Sequence, residues 1–208
     1  MKFSDKKGHF ERNEQSWNSI ANMVFLDQPA GTGFSTAKWN NSPRHMSQVG
    51  EDFALFLKEF LEQNPQYVNR TMYLTGESYA GHYIPFFADY LFHNPIAGVK
   101  LGGVAIGNGW VDPFYQYQEY PTYALENKII DNGQYYLLEY GLNYLCALSM
   151  MLEFPLLSTS LCSFEMATIM GASIWPIFNL YDIRKACVSM GLCYPDDGLE
   201  TLFNSKQT

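Results

Sequence analysis

The chain has 208 residues, of which 47% are hydrophobic and 16% charged, so it can bury a core and has the composition of a globular protein. Its net charge of −8 and its lack of any basic run longer than two residues exclude the clustered Lys and Arg with which proteins bind nucleic acid. One long apolar stretch, residues 142–162, contains Glu153 and Pro155, which both oppose a membrane span. We therefore expect a buried helical segment there, no membrane span and no nucleic-acid partner.

The first half of the sequence predicts alternating strands and helices. The predicted elements are a buried strand, a helix, a strand, a helix and a strand, at residues 21–26, 47–63, 71–75, 81–92 and 101–106. The first helix has apolar residues at helical spacing, and Asn64 and Pro65 end it. A loop containing Pro and Gly follows the first strand, and a Gly-Asn-Gly turn follows the last. This order predicts a mostly parallel sheet flanked by helices, which is an α/β fold.

The character of the sequence changes after Pro113. Tyr residues become dense between positions 115 and 144, and helix-like segments follow without a clear strand. We therefore interpret residues 1–113 as a partial α/β core and residues 114–208 as an incomplete helical cap inserted into it.

All four cysteines lie in the last third of the chain, at Cys146, Cys162, Cys187 and Cys193. Their even number and their clustering indicate disulfides, and hence an oxidising compartment. No C-x-x-C pair occurs and no His is close to a Cys, so the spacing predicts no zinc site, and we expect no metal or other cofactor. N-glycosylation sequons at Asn40 and Asn69 agree with a secretory protein.

The motif that carries chemistry is GESYA, residues 76–80, between the second predicted strand and the second predicted helix. A Ser on such a sharp turn projects its Oγ above the sheet, and small residues at Gly76 and Ala80 leave room for the neighbouring chain. The N–H of Tyr79, at the start of the helix, can stabilise an oxyanion. The motif predicts Ser78 as a nucleophile. The alternative is an ordinary turn of a nucleotide-binding fold, although neither G-x-G-x-x-G nor G-x-x-x-x-G-K-[ST] occurs.

Four segments, in order along the chain, resemble the serine carboxypeptidase family. They are SWN with VFLDQPAGTGFS (residues 16–18 and 24–35), GESYAGHYIP (76–85), GNGWVDP (107–113), and YDIRK with LCYP (181–185 and 192–195). The resemblance is close over residues 16–113 and 179–195 and weak over residues 135–178. It implies a partial α/β-hydrolase fold with a helical cap, and a serine-type carboxypeptidase that releases C-terminal residues from peptides and proteins.

The resemblance also implies roles for three adjacent residues. Ser78 would attack the last peptide bond and form an acyl-enzyme, and the N–H of Tyr79 would be half of the oxyanion hole. Glu77 would bind the terminal carboxylate of the substrate. Two carboxylates bind each other only if they share a proton, so such an enzyme prefers acidic pH and suits a vacuole or lysosome, or secretion.

The resemblance implies one disulfide and leaves a second open. Cys187 and Cys193 align with a short-range disulfide in the cap of the family. Cys146 and Cys162 do not align clearly with family cysteines, and their pairing stays open.

The sequence lacks parts that the family requires. The triad order Ser, Asp, His places the base far beyond Ser78 in the sequence. The only later histidines are His82 and His93. His82 matches a family residue that is not the base, and His93 is about 22 Å from Ser78 along the helix. The Gly-Gly-Pro-Gly segment of the family is absent, and the N-terminus does not resemble a signal peptide. We therefore expect an internal fragment that lacks the triad Asp and His and is inactive alone.

Other functions are compatible with the same residues. A serine carboxypeptidase-like acyltransferase would pass the acyl group to an alcohol rather than to water, and a non-catalytic remnant would only bind peptides or partners. A lipase or esterase is disfavoured because Glu77 would repel acidic lipid headgroups.

Overall fold

The computed structural model describes residues 2–4, 9–38, 42–171, 178–187 and 193. Contacts between residues divide the chain into two compact units. One unit is Val24–Pro113, and the other combines Met1–Met23 with Phe114–Thr208. The division falls after Pro113, where we expect the cap to begin, but Met1–Met23 groups with the second unit rather than with the first. The assignment of the two units to a core and a cap remains a prediction.

The described elements alternate between strand and helix at first and are helical later. In chain order they are β1 (Lys2–Ser4), β2 (His9–Glu11), α1 (Met46–Gln63), β3 (Thr71–Glu77), α2 (Ala80–His93), β4 (Lys100–Gly107), α3 (Pro113–Glu126), α4 (Asn132–Leu137), α5 (Tyr144–Met151) and α6 (Pro155–Ile169). A π-helical segment, Leu138–Asn143, joins α4 to α5. The predictions for α1, β3, α2 and β4, and the helical character beyond Pro113, are confirmed.

The unit Val24–Pro113 is built around β3 and β4, which pair in parallel from Thr71 opposite Lys100 to Glu77 opposite Gly107. Helix α2 connects these strands and packs on them, and α1 packs on α2. Apolar residues at helical spacing give both helices a buried stripe. The core that results consists of Val49, Phe53, Leu57, Leu74, Ile84, Phe87 and Leu91. This arrangement confirms the predicted parallel strands and covering helices.

The helices cover one face of the β3–β4 pair. Leu74 is buried beneath them, whereas the adjacent Tyr73 is 65% exposed. Successive side chains of a strand point to opposite faces, so Tyr73, which pairs with Gly103, marks the uncovered face of the sheet. In the described part of the chain, neither strand has a further partner strand.

The prediction of a buried strand at residues 21–26 is wrong. This segment is irregular, and Val24 and Phe25 are 53% and 85% exposed. A strand needs a neighbour that takes up its backbone hydrogen bonds, and among the described residues β3 and β4 pair only with each other. The loop that follows does form. The Asp27 carboxylate accepts a hydrogen bond from the N–H of Phe34 at 2.8 Å, which closes it.

The second unit is helical apart from the antiparallel pair β1–β2. Four buried residues from α3, the segment after it, the π-helical segment and α6 form its core: Ala124, Ile130, Leu138 and Ile169. A disulfide between Cys146 of α5 and Cys162 of α6 joins two adjacent helices. The pairing that the sequence left open is thus present in the structure.

The apolar stretch 142–162 is helical, as predicted, but the prediction that it is buried is wrong. A turn at Glu153, whose φ is 57°, separates α5 from α6. Leu156 is 86% and Met151 68% exposed. Apolar residues occur all around α6, so packing on one side leaves others in solvent. No helix in the described part of the chain is long and apolar enough to cross a membrane.

Residues 178–187 form a compact turn held by Asn179. Its buried side chain accepts hydrogen bonds from the N–H groups of Tyr181 and Asp182, and its amide donates to the carbonyl oxygen of Cys193 at 3.3 Å. Cys193 is bonded to Cys187, which is the disulfide that the family resemblance implies. A hydrogen bond from Arg184 is the main reason that the pKa of Asp182 lies below its usual range.

Candidate active site

Ser78 lies at a sharp turn between β3 and α2. The strand ends at Glu77 and the helix begins at Ala80, so only Ser78 and Tyr79 connect them. The φ of Ser78 is 58°, and its side chain is exposed. A residue with a Cβ in this left-handed region is strained by about 1–2 kcal/mol, and it persists only where its surroundings hold it there.

Hydrogen bonds from the turn after β4 hold the main chain of Ser78. Its N–H donates to the carbonyl oxygen of Gly107 at 3.0 Å. Its carbonyl oxygen accepts from the N–H of Trp110 at 2.8 Å and from the N–H of Gly81 at 2.9 Å. Each such bond contributes about 0.5–1.5 kcal/mol net, so together they offset the strain at Ser78.

Small residues around Ser78 permit the close approach of backbone segments. A Cβ on Gly76 would clash with the Cβ of Ala80, which is the crowding that the sequence motif predicts. A Cβ on Gly81 would lie 2.6 Å from the nitrogen of Trp110. The sequence motif by itself indicates no role for Gly81 or for the backbone of Trp110. The signal that could have indicated a role for Gly81 is its position, as a Gly in the first turn of the helix that follows the motif.

Tyr79 is the centre of a group of aromatic rings beside Ser78. Its ring centroid lies 5.0 Å from that of Tyr83, 5.5 Å from that of His82 and 5.7 Å from that of Trp110. Burial, and then the proximity of Tyr79, raise the pKa of Tyr83 above its ordinary value, so its hydroxyl stays protonated. The N–H of Tyr79 makes no hydrogen bond within the described residues.

The other predicted site residues lie at different places. Glu77 is the last residue of β3 and is exposed next to Ser78. Asn69 is exposed in the turn before β3, where its φ is 62° and its N–H donates to the carbonyl oxygen of Gly98. Asn40 lies outside the described residues.

No histidine is hydrogen-bonded to Ser78 within the described part of the chain. His82 is in the first turn of α2, where its ring contacts that of Tyr79. His93 is the last residue of α2 and lies 3.3 Å from the carboxylate of Asp89. Among the residues that the structure describes, no three His, Cys, Asp or Glu side chains are placed together to hold a metal ion.

Comparisons with known proteins agree on one family. A family model described as serine carboxypeptidase matches residues 1–206. Serine carboxypeptidase-like 49 of Arabidopsis thaliana is 38% identical over 203 residues, which are 92% of this chain and 39% of that protein. Serine carboxypeptidase 3 of Hordeum vulgare is 35% identical over 210 residues, which are 93% of this chain and 40% of that protein.

A solved structure is also similar. The crystal structure of a prohormone-processing carboxypeptidase from Saccharomyces cerevisiae superposes with a TM-score of 0.67 and 28% sequence identity. The similarity covers 93% of this chain and 44% of that chain.

Parallel strands covered by helices, with an exposed left-handed Ser between strand and helix, are the features of an α/β hydrolase. The chain belongs to the serine carboxypeptidase family. The resemblance seen in the sequence and the predicted partial α/β-hydrolase fold are therefore confirmed. The chain spans less than half the length of the relatives that match most of it.

Proposed function

We propose that the protein to which this chain belongs is a serine-type carboxypeptidase and that Ser78 is its nucleophile. One observation carries this proposal: in a chain of this family, Ser78 is exposed and held at a φ of 58° between β3 and α2. In this mechanism Ser78 Oγ attacks the carbonyl carbon of the last peptide bond and gives its proton to a general base. The C-terminal residue leaves, and water hydrolyses the acyl-enzyme.

The neighbours of Ser78 bind the oxyanion and the substrate. Tyr79 precedes the first residue of α2, and its N–H makes no hydrogen bond within the described residues, so we assign it one half of the oxyanion hole. Glu77, exposed beside Ser78, binds the terminal carboxylate of a peptide or protein through a shared proton. Sharing a proton between two carboxylates favours acidic pH.

The general base comes from elsewhere in the whole protein. His82 contacts Tyr79, and His93 is at the far end of α2, so we assign neither of them as the general base for Ser78. We propose that a His and an Asp in the part of the protein beyond these residues complete the triad. Relatives more than twice as long as the matched region have room for both. On this proposal the 208-residue chain does not hydrolyse peptides by itself.

The compartment follows from the disulfides and the sequons. Two disulfides are formed, which supports an oxidising environment. Asn69 is exposed, as a glycosylated residue must be. We place the full-length protein in a vacuole or lysosome, or outside the cell, with glycans at Asn69 and Asn40.

Matched substrates test the proposed reaction in the full-length protein. A carboxypeptidase releases one amino acid from an N-blocked dipeptide with a free C-terminus and acts more slowly on the same dipeptide with a C-terminal amide. Transfer of the acyl group to an added alcohol in preference to water would identify an acyltransferase instead. Binding of the dipeptide without any product would identify a non-catalytic protein.

A further inference from the structure

The turn after β4, residues 107–110, contacts the main chain of Ser78 on both sides. The N–H of Ser78 donates to the carbonyl oxygen of Gly107 at 3.0 Å, and its carbonyl oxygen accepts from the N–H of Trp110 at 2.8 Å. The two bonds involve the first and last residues of the 107–110 turn. The turn therefore fixes both peptide groups that flank the Cα of Ser78.

Two glycines allow α2 to lie directly against the 107–110 turn. A Cβ on Gly81 would lie 2.6 Å from the nitrogen of Trp110 and 2.9 Å from the Cα of Gly109. A Cβ on Gly109 would in turn lie 3.3 Å from the Cα of Gly81. Because backbone atoms cannot move aside as a flexible side chain does, a methyl group on Gly81 would push α2 away from the turn. The bond between Trp110 and Ser78 would then lengthen.

Asn108 gives the 107–110 turn its shape. Its φ is 45°, in the left-handed region that Gly, Asn and Asp adopt and that β-branched residues avoid. The exchange of Asn108 for Gly therefore preserves the turn, whereas exchange for Val opposes it. This pair of substitutions changes the conformation of the turn without placing any new group on Ser78.

We propose that the 107–110 turn is a positioning element that holds Ser78 in the left-handed conformation from which its Oγ attacks the substrate. The inference rests on the proposed role of Ser78 as nucleophile. Gly81, Asn108 and Trp110 are positioning residues, because they act through the main chain of Ser78. A turn that only stabilised the fold would change the amount of folded protein and not the rate at which each folded molecule reacts.

The test uses the full-length protein and two rates, each expressed per folded molecule. They are kcat for an N-blocked dipeptide and the rate at which an organophosphorus fluoride labels Ser78. Gly81→Ala and Asn108→Val are expected to lower both rates by about 10- to 100-fold with little change in KM, since a small displacement of a reacting atom has an effect of this size. Asn108→Gly is expected to keep both rates at the wild-type values, because Gly adopts the φ of Asn108.

Gly50 of α1 provides a matched control. A Cβ there would lie 2.8 Å from the ring of Phe86, so Gly50→Ala disturbs the packing of α1 on α2 without touching the 107–110 turn. It is expected to lower the melting temperature but to leave both rates per folded molecule unchanged. Wild-type rates in Gly81→Ala and Asn108→Val would overturn the positioning role. Failure of the wild-type protein to label at Ser78 would overturn the nucleophile assignment and the positioning role with it.

Discussion

The rings of Phe53 and Phe87 stack with their centroids 4.2 Å apart and their planes inclined by 15°. Phe53 lies on α1 and Phe87 on α2, and both are buried. The ring of Tyr83 stacks on Phe87 in turn, and its edge meets the ring of Tyr79. Aromatic contacts therefore run from the core of the unit Val24–Pro113 to the residue that follows Ser78.

Removal of the Phe87 ring should lower the stability of the protein. Phe87→Ala is expected to reduce the free energy of unfolding by about 3–5 kcal/mol, because it removes buried apolar surface and leaves a cavity. Phe92 is on the same helix and is 81% exposed, so Phe92→Ala is the matched control and should have little effect. Urea denaturation of the two variants measures both values. Equal losses would contradict the packing described for α2.

The uncovered face of the β3–β4 pair should make the isolated 208-residue chain associate. Tyr73 exposes apolar surface on this face, beside strands whose edges have no further partner in the described residues. Size-exclusion chromatography is expected to show aggregates, which Tyr73→Lys should reduce more than the same change on the exposed surface of α1, Leu55→Lys. A soluble monomer that unfolds cooperatively would show that this surface needs no cover.

Local sequence pattern was sufficient for the elements whose partners are close in the chain. Helix α1 follows from apolar spacing, and β3 and β4 pair with each other across a single helix, so all three were predicted. The segment 21–26 has the same apolar character as a strand but no partner among the described residues. Its conformation depends on distant contacts that its own composition does not reveal.

For the candidate site, too, local sequence pattern predicts some features and misses others. The motif predicted Ser78 and the N–H of Tyr79, and the family resemblance implied a role for Glu77, and all three roles remain predictions. The contacts of Gly81 and Trp110 with the turn depend on how β4 ends beside α2, which no local pattern specifies. The exposure of Leu156 was missed because apolar composition alone does not tell how much of a helix finds a partner.

Glu165 of α6 is fully buried, and neither of its carboxylate oxygens has a hydrogen-bond partner in the described part of the chain. Burial, and then the carboxylate of Glu139 on the π-helical segment, raise the pKa of Glu165 from an ordinary value of 4.5 to about 7. Tyr117 and Tyr120 of α3 are the other titratable groups that interact with it, and burial raises the pKa of both.

This raised pKa predicts a protein that is more stable in acid. The folded state keeps a proton that the unfolded state has lost, so stability falls as the pH rises from about 4.5 to about 7 and is level above that range. The loss is on the order of 3 kcal/mol, since one pKa unit corresponds to about 1.4 kcal/mol. Urea denaturation across this range should show the fall in the wild-type protein and not in Glu165→Gln. Glu119 of α3 is exposed, so Glu119→Gln is the control and should keep the wild-type dependence of stability on pH. Parallel curves of stability against pH for all three proteins would contradict the role of Glu165.

Glu77 should determine how substrate binding depends on pH. In the proposed role, its carboxyl group would bind the terminal carboxylate only when a proton is shared, whereas an amide donates an N–H at any pH. In the full-length protein, Glu77→Gln is therefore expected to keep KM low as the pH rises to neutrality, and Glu77→Ala to raise KM at every pH. The exposed Glu62 of α1 provides the control Glu62→Gln. An unchanged pH profile of KM in Glu77→Gln would exclude carboxylate binding by Glu77.

The identity of the residue that reacts covalently tests whether Ser78 is the nucleophile. The full-length protein is treated with an organophosphorus fluoride, the modified peptide is identified by mass spectrometry, and Ser78→Ala is compared with Ser47→Ala, a change at an exposed serine of α1. We expect one label per molecule, located on Ser78, with peptidase activity lost in proportion to labelling, and activity retained only in Ser47→Ala. Labelling at another residue, or peptidase activity that survives in Ser78→Ala, would contradict the assignment of Ser78 as the nucleophile.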